Sequence, residues 1–363
     1  MLTIEEQEQI SNAYYKIYKK IEVEYLDLIA IQLKEIGTLN SVELSRLDQM
    51  ALMNKNVDII NKELAVRTNQ SVDELKTTLT NIAKMQYTDA SRFYTAAGVK
   101  QLDFYDNMAV QNIITSISNL TGSTMRNISS TSISSQAYVS AIDEAIVAST
   151  SGVADYNTST KKIIRNLVSK GMTQVQYPSG INRNVASAVR MNVMDGMHQV
   201  NMNVASQIGN EFGADGVQIT SHANPAPDHT SIDGIMVSNE NFERINSNLS
   251  RKIATCNCYH FAQPVLMGIS TPMYTNAELR EKKVQESQLI EYNNSAKTRY
   301  EWSQEQRKIE SRMQYYKNEN RMAKTMGNTD LEISSRNKYK LLSSNYKSMS
   351  SKVGLDTELD RLY

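Results

Sequence analysis

Apolar side chains spaced three and four residues apart recur along most of this 363-residue chain, and that period commits it to helices. Residues 4–36 carry Ile10, Tyr14, Ile17, Ile21, Tyr25 and Leu28 on one stripe, and Gly37 stands where a helix would end. A second helix is predicted from Asn40, with Glu43 three residues on as its capping partner, through Leu44, Leu47, Met50, Met53, Val57 and Ile60. A third is predicted to open at Ser71, with Glu74 in the same relation. Short turns between such helices give a bundle or an array of hairpins over residues 1–136.

Residues 115–135 hold twelve Ser or Thr in twenty-one positions, which reads as a loop or as a helix with a polar face packed on neighbours. Residues 137–210 return to helical spacing, with Gly171 closing one helix and YPSG at 177–180 making a turn. The next helix, 181–210, places Val185, Val189, Val193, Met197 and Val200 on one side. The methionines of MNVMDGM (191–197) read as packing, since flexible thioethers fill irregular cores. His198 on that helix reads as a packed or surface histidine rather than a ligand.

From Gly213 and Gly216 the character changes. VQITSHA (217–223) alternates as a half-buried strand does, and a turn-rich stretch follows to residue 275. The expected fold is therefore mainly α: a helical N-terminal half, a small mixed α+β domain at 211–275, and a long charged helix at 276–327. A polar tail, 328–363, ends the chain. Only five prolines, 40% hydrophobic and 7% aromatic residues suit such a chain. MLTIEEQEQISN at the start carries acids and no apolar segment, unlike a signal peptide, and no run of some 18 apolar residues predicts a membrane anchor.

The small domain collects the scarce chemistry. Cys256 and Cys258 are the only cysteines, and His222, His229 and His260 are three of four histidines. One residue between the cysteines leaves too little chain for a relaxed disulfide, so both are expected as thiols. Thiolate and imidazole together suit a structural zinc, the one cofactor these residues could call for, although C-x-C-x-H departs from the common C-x2-C spacing. Two other readings stand beside it. The histidines could brace the loop ANPAPD by hydrogen bonds, with Asp228 accepting from a backbone N–H. A cysteine beside His260 could also form a catalytic or redox site.

Lys and Arg number 39, as do Asp and Glu, so no net field steers the molecule to nucleic acid. From Asn276 onward seventeen basic residues stand against thirteen acids. Lys282, Lys283, Arg307, Lys308, Arg312, Lys317, Arg321 and Lys324, interleaved with Tyr300, Trp302, Tyr315 and Tyr316, are candidates for weak contact with nucleic acid. The interspersed acids equally describe a solvated helix face. No GxxxxGK[ST], GxSxG or HExxH pattern occurs.

Ordered blocks between 161 and 326 resemble the phage minor capsid protein 2 family, related to Mu-type head morphogenesis proteins. They are LVSKGMTQVQYPSG (167–180), VASAVRMNVMDGMHQ (185–199), EFGADGVQITSHANPAPDH (211–229), Asp233-Gly234, CNCYHFAQPVLMGIS (256–270) and QRKIESRMQYYKNE (306–319). The chain departs from the family pattern where Ala226 precedes Pro227, in place of Arg, and where Ile232-Asp233-Gly234 replaces Trp-Gln-Gly. The resemblance implies a structural, non-enzymatic protein of a tailed-phage virion. It implies a place inside the head near the portal vertex, with the portal and major capsid proteins as partners and a part in assembly, packaging or ejection. The alternatives are a hydrolase or toxin-like domain using His222, Asp228, His229 and His260, or a DNA-contacting protein ejected with the genome.

Overall fold

Thr3 starts the first helix with a reciprocal cap. Its hydroxyl accepts from the Glu6 N–H at 3.2 Å, and the Glu6 carboxylate accepts from the Thr3 N–H at 2.8 Å. The structure is a computed structural model that describes residues 3–38, 46–130, 140–141, 144, 156–170, 174–176 and 182–359. The elements in order are α1 (Ile4–Thr38), α2 (Arg46–Asp89), α3 (Ser91–Ala96), α4 (Met108–Ser130), α5 (Tyr156–Lys170), β1 (Gln174–Gln176), β2 (Asn182–Asn184) and α6 (Val185–Glu211). The chain continues as β3 (Gly216–Ile219), β4 (Met236–Ser238), α7 (Asn239–Asn248), β5 (Ala262–Val265) and α8 (Asn276–Ser287). It ends with β6 (Ile290–Tyr292), β7 (Ser295–Lys297), α9 (Arg299–Met326) and α10 (Thr329–Val353). Among the described residues no helix is long and apolar enough to cross a membrane.

The chain divides into two compact units. One holds Met1–Ala13, Gln70–Met125 and Arg190–Trp302; the other holds Tyr14–Asn69, Arg126–Val189 and Ser303–Tyr363. In the second unit a helical core gathers Tyr25, Leu26, Ile29, Ala30 and Leu33 of α1 with Ile163, Ile164 and Leu167 of α5. Met322 and Ala323 of α9 and Leu331 of α10 complete it. Lys19 and Glu22 are also buried there, 2.6 Å apart, and the Asn184 amide donates to the same Glu22 oxygen at 2.9 Å. The polar C-terminal segment is helical. Asn328 caps α10, Gly354 ends it at φ 69°, and Tyr346 donates to Glu310 of α9 at 2.9 Å.

In the first unit the second half of α2 buries Leu75, Leu79 and Ile82, α4 buries Val110, Ile114 and Ile117, and α6 buries Val193, Met197 and Val200; Val185 and Val189, the rest of its predicted stripe, are buried in the second unit. The Ser/Thr-rich stretch is helical as far as Ser130, and its polar side packs: Asn192 donates to the Thr121 carbonyl at 2.9 Å. The α+β part is a three-stranded antiparallel sheet, β4-β3-β5, with Val217 opposite Val237 and Ile219 opposite Ala262. Ile219, Ile232, Phe242, Ile253, Ala254 and Ala262 form its core.

Four expectations change, the first being the helix predicted over 181–210, which begins only at Val185 because Asn182–Asn184 pair with β1. Helix α1 runs through Gly37, whose cost of about 1 kcal/mol against alanine does not stop a well-buried helix. The predicted break at Ser71 is absent and α2 is continuous, because no Gly or Pro ends the preceding turn. Ser71 is buried, while Thr68 accepts from Tyr18 and donates to Ser129. Residues 276–326 are two helices, the longer being α9, separated by the β6–β7 hairpin. Asn293 and Asn294, at φ 47° and 59°, make its two-residue turn. Residues 39–45, Gly171 and 177–180, with the features predicted there, lie outside the described residues.

Candidate functional site

The sheet register explains why residues far apart in sequence converge. β3 and β5 pair as far as Ile219 and Ala262, and one further rung joins Thr220 N–H to the Phe261 carbonyl at 2.8 Å. Just beyond that rung, His260, next to Phe261, and His222, two residues past Thr220, meet with ring centroids 4.2 Å apart. His229 arrives on a tight turn in which the His229 carbonyl accepts from both Ile232 and Asp233 at 3.1 Å. The buried Ile232 anchors that turn. Gly234 leaves it at φ 77°, where an added Cβ would stand 2.3 Å from the Leu279 side chain.

Cys258 arrives on a strained approach. Ala254, Cys256 and Asn257 all have positive φ, a conformation that persists only when its surroundings hold it. Asp195 of α6 supplies that hold, accepting from the Cys256 and Asn257 N–H groups at 3.1 and 3.3 Å. The result leaves the Cys256 side chain exposed and turns Cys258 inward.

Cys258 Sγ lies 3.4 Å from His229 Nδ1 and 3.4 Å from His260 Nδ1. Ligand atoms of His229, Cys258 and His260 all fall within 4.8 Å of one another. His222 Nε2 is 3.1 Å from His260 Nδ1. The far side of each ring fixes its tautomer, since a carbonyl or carboxylate oxygen only accepts. His229 Nε2 donates to the Arg251 carbonyl at 2.7 Å, His260 Nε2 to Asp233 at 2.9 Å, and His222 Nδ1 to the Ala223 carbonyl at 2.9 Å. In the neutral rings the three inward nitrogens are therefore lone pairs, facing one another or a sulfur.

Asp233 is the hub behind them. It accepts from His260, from Ser221 Oγ at 2.8 Å, from the His222 N–H at 3.2 Å and from Lys282 Nζ at 2.6 Å. Burial opposes its ionisation, yet the bonds from His260, Lys282 and Ser221 hold it well below the usual carboxylate range. Burial likewise opposes a thiolate at Cys258, but its contacts with His229 and His260 bring the thiol down to about 6. Burial, then the neighbouring His260 charge, lowers His222 to about 4. For His229 and His260 burial favours the neutral ring, and the cysteine and oxygen partners outweigh it, raising both.

The structure thus joins four of the five sequence-predicted Cys/His residues and leaves Cys256 outside. Asp228 bonds the Arg251 guanidinium and Ser250 Oγ (3.0 Å) instead of the predicted backbone N–H. His198 is fully buried, with Nε2 2.8 Å from Gln7 Oε1 and its ring 4.9 Å from that of Phe261. Among the basic candidates Lys282 is committed to Asp233, Arg321 to Asp27 and Lys308 to Glu305 at 3.0 Å. Lys283, Arg307, Arg312, Lys317 and Lys324 are exposed. An open groove in the same unit, bordered by Phe93, Phe212, Gln218, Pro264 and Met273, includes none of the Cys/His residues in its lining. Sequence reasoning missed the roles of Asp233 and Lys282; the Lys282/Glu286 spacing, 3.6 Å apart in the fold, was the available signal.

A family model described as Phage minor capsid protein 2 matches residues 2–348. No curated protein and no solved structure gives a match.

Proposed function

The chain belongs to the phage minor capsid protein 2 family, and from that premise we propose that this virion component sits inside the head near the portal vertex. There it is a structural subunit whose partners are the portal and major capsid proteins. The observation that carries the reading is the length of the family match, which runs from residue 2 to residue 348 and takes in both compact units.

Surface chemistry supports an assembly role. From the end of α3 to the first residue of α4 the chain exposes Val99, Leu102, Tyr105 and Met108, each more than half accessible, which is apolar surface a partner would cover. Exposed cations on α9, including Arg312 and Lys324, add weak contact with packaged DNA, tempered by the acids between them.

Quantitative mass spectrometry of purified particles, together with a reconstruction of the portal vertex, tests this. A few copies per head, with density beside the portal, is the expected result. Absence from virions overturns it. For the DNA contact, filter binding of the full chain over a salt series is expected to show retention that falls as salt rises; retention that is absent at low salt rejects it.

A further inference from the structure

We propose that Cys258, His229 and His260 bind a zinc ion through Sγ and the two Nδ1 atoms, with His222 Nε2 closing the shell, and that this ion staples the small α+β core.

The case rests on lone pairs. Three imidazole nitrogens whose outer partners leave them unprotonated face a common sulfur or one another at 3.1 to 3.4 Å. Without a metal, protons reconcile these contacts by giving the thiol proton to His229 and charging His260, which is 0% exposed. One divalent cation satisfies every contact and leaves each ring neutral. A tetrahedral zinc with ordinary Zn–N and Zn–S lengths has ligand-to-ligand edges of about 3.4–3.6 Å, close to the three such distances observed, with His222 the ligand that must shift to close the shell. The outer partners are also those of a metal site. His260 backs onto a carboxylate and His229 onto a backbone carbonyl, the supports that orient histidine ligands.

The Cys258–His260–Asp233 chain also has the order of a nucleophile, base and orienting acid. A second histidine on the same sulfur is superfluous to that chemistry, whereas a metal shell requires it. The elements joined are the end of β3, the 226–234 turn and the approach to β5, around a core of only six buried apolar side chains. Such a core gains most from a metal cross-link.

The experiment uses the full chain, purified without chelators and analysed for metal. The expected result is about one zinc per chain with a nitrogen-and-sulfur shell by X-ray absorption. Cys258→Ser and His229→Ala should lose the zinc, whereas Cys256→Ser should keep it. In the loaded chain Cys256 should react with iodoacetamide at once and Cys258 only after chelation. Zinc retained by Cys258→Ser, or Cys258 alkylated as fast as Cys256 in the loaded chain, overturns the proposal and, in the second case, favours a reactive cysteine. If the variants do not fold, cobalt titration of the wild-type chain decides: a thiolate-to-cobalt charge-transfer band supports the site, and its absence overturns it.

Discussion

Two of the hydrophobic cores among the described residues show two ways of holding a chain. In the helical unit twelve buried apolar residues from α1, α5, α9, α10 and Ala141 interlock by packing. The α+β core has six, spread over two short strands, two turns and one helix, and a polar lattice of His222, His229, Asp233, Cys258, His260 and Lys282 adjoins it. Where apolar area is short, directional bonds between charged and soft atoms hold the backbone instead. The first kind of core is legible as spacing; the second is legible only as scarce residue types.

The comparison breaks most visibly if zinc is removed. A structural zinc supplies on the order of 10 kcal/mol to a small fold. Chelation is therefore expected to strip hydrogen-exchange protection from β3, β4 and β5 while α5 and α10 keep theirs; simultaneous loss in both units would show that the cores do not differ in this way.

Next in size is Glu22→Gln in the helical unit. Both charges of the Lys19–Glu22 pair are almost fully buried, so the variant leaves an uncompensated ammonium and should cost about 3–5 kcal/mol. Chemical denaturation measures it, and a cost below about 1 kcal/mol would mean that water reaches Lys19.

His198 gives the first unit an acid-sensitive point. Burial lowers its pKa to about 3 from 6.5, so below pH 6.5 the unfolded chain binds a proton that the folded chain refuses. Stability contributed by the neutral ring is complete above 6.5 and falls by up to about 1.4 kcal/mol per pH unit down toward 3. His198→Gln, which keeps a donor toward Gln7, is expected to flatten that slope in urea titrations across the acid range; an unchanged slope would assign the sensitivity to another group.

The smallest effect belongs to Arg321→Ala. Its pairing with Asp27 lies on the surface, with Arg321 half exposed, and should contribute no more than about 1 kcal/mol. Thermal unfolding at low and high salt checks this, and a larger, salt-independent loss would assign packing to the arginine stem.

Much of the helical framework could be read in advance, and particular residues show where reading stopped. Val185, Val189, Val193, Met197 and Val200 fell on one stripe in sequence and are all buried. Ser71 and Glu74 looked like a helix start because a capping pattern is local, while the tertiary burial of Thr68 and Ser71 that keeps α2 intact is not. The hairpin at 290–297 hid among Glu, Gln and Lys, which favour helix; its mark was the pair Asn293-Asn294, able to take positive φ twice in succession. At the site, scarcity of His and Cys marked the ligand types, but Asp233 and Lys282 are common residues whose importance comes only from where the turn and α8 bring them. Nor does spacing say which cysteine faces in.

That last point has a practical side. Asp195 twists the backbone so that one thiol of the pair points to solvent while its neighbour two residues on is withdrawn. Position 256 is therefore a natural address for a gold cluster or a fluorophore, attached without any engineered tag. An assembled particle could be probed for this subunit through chemistry the wild-type sequence already carries.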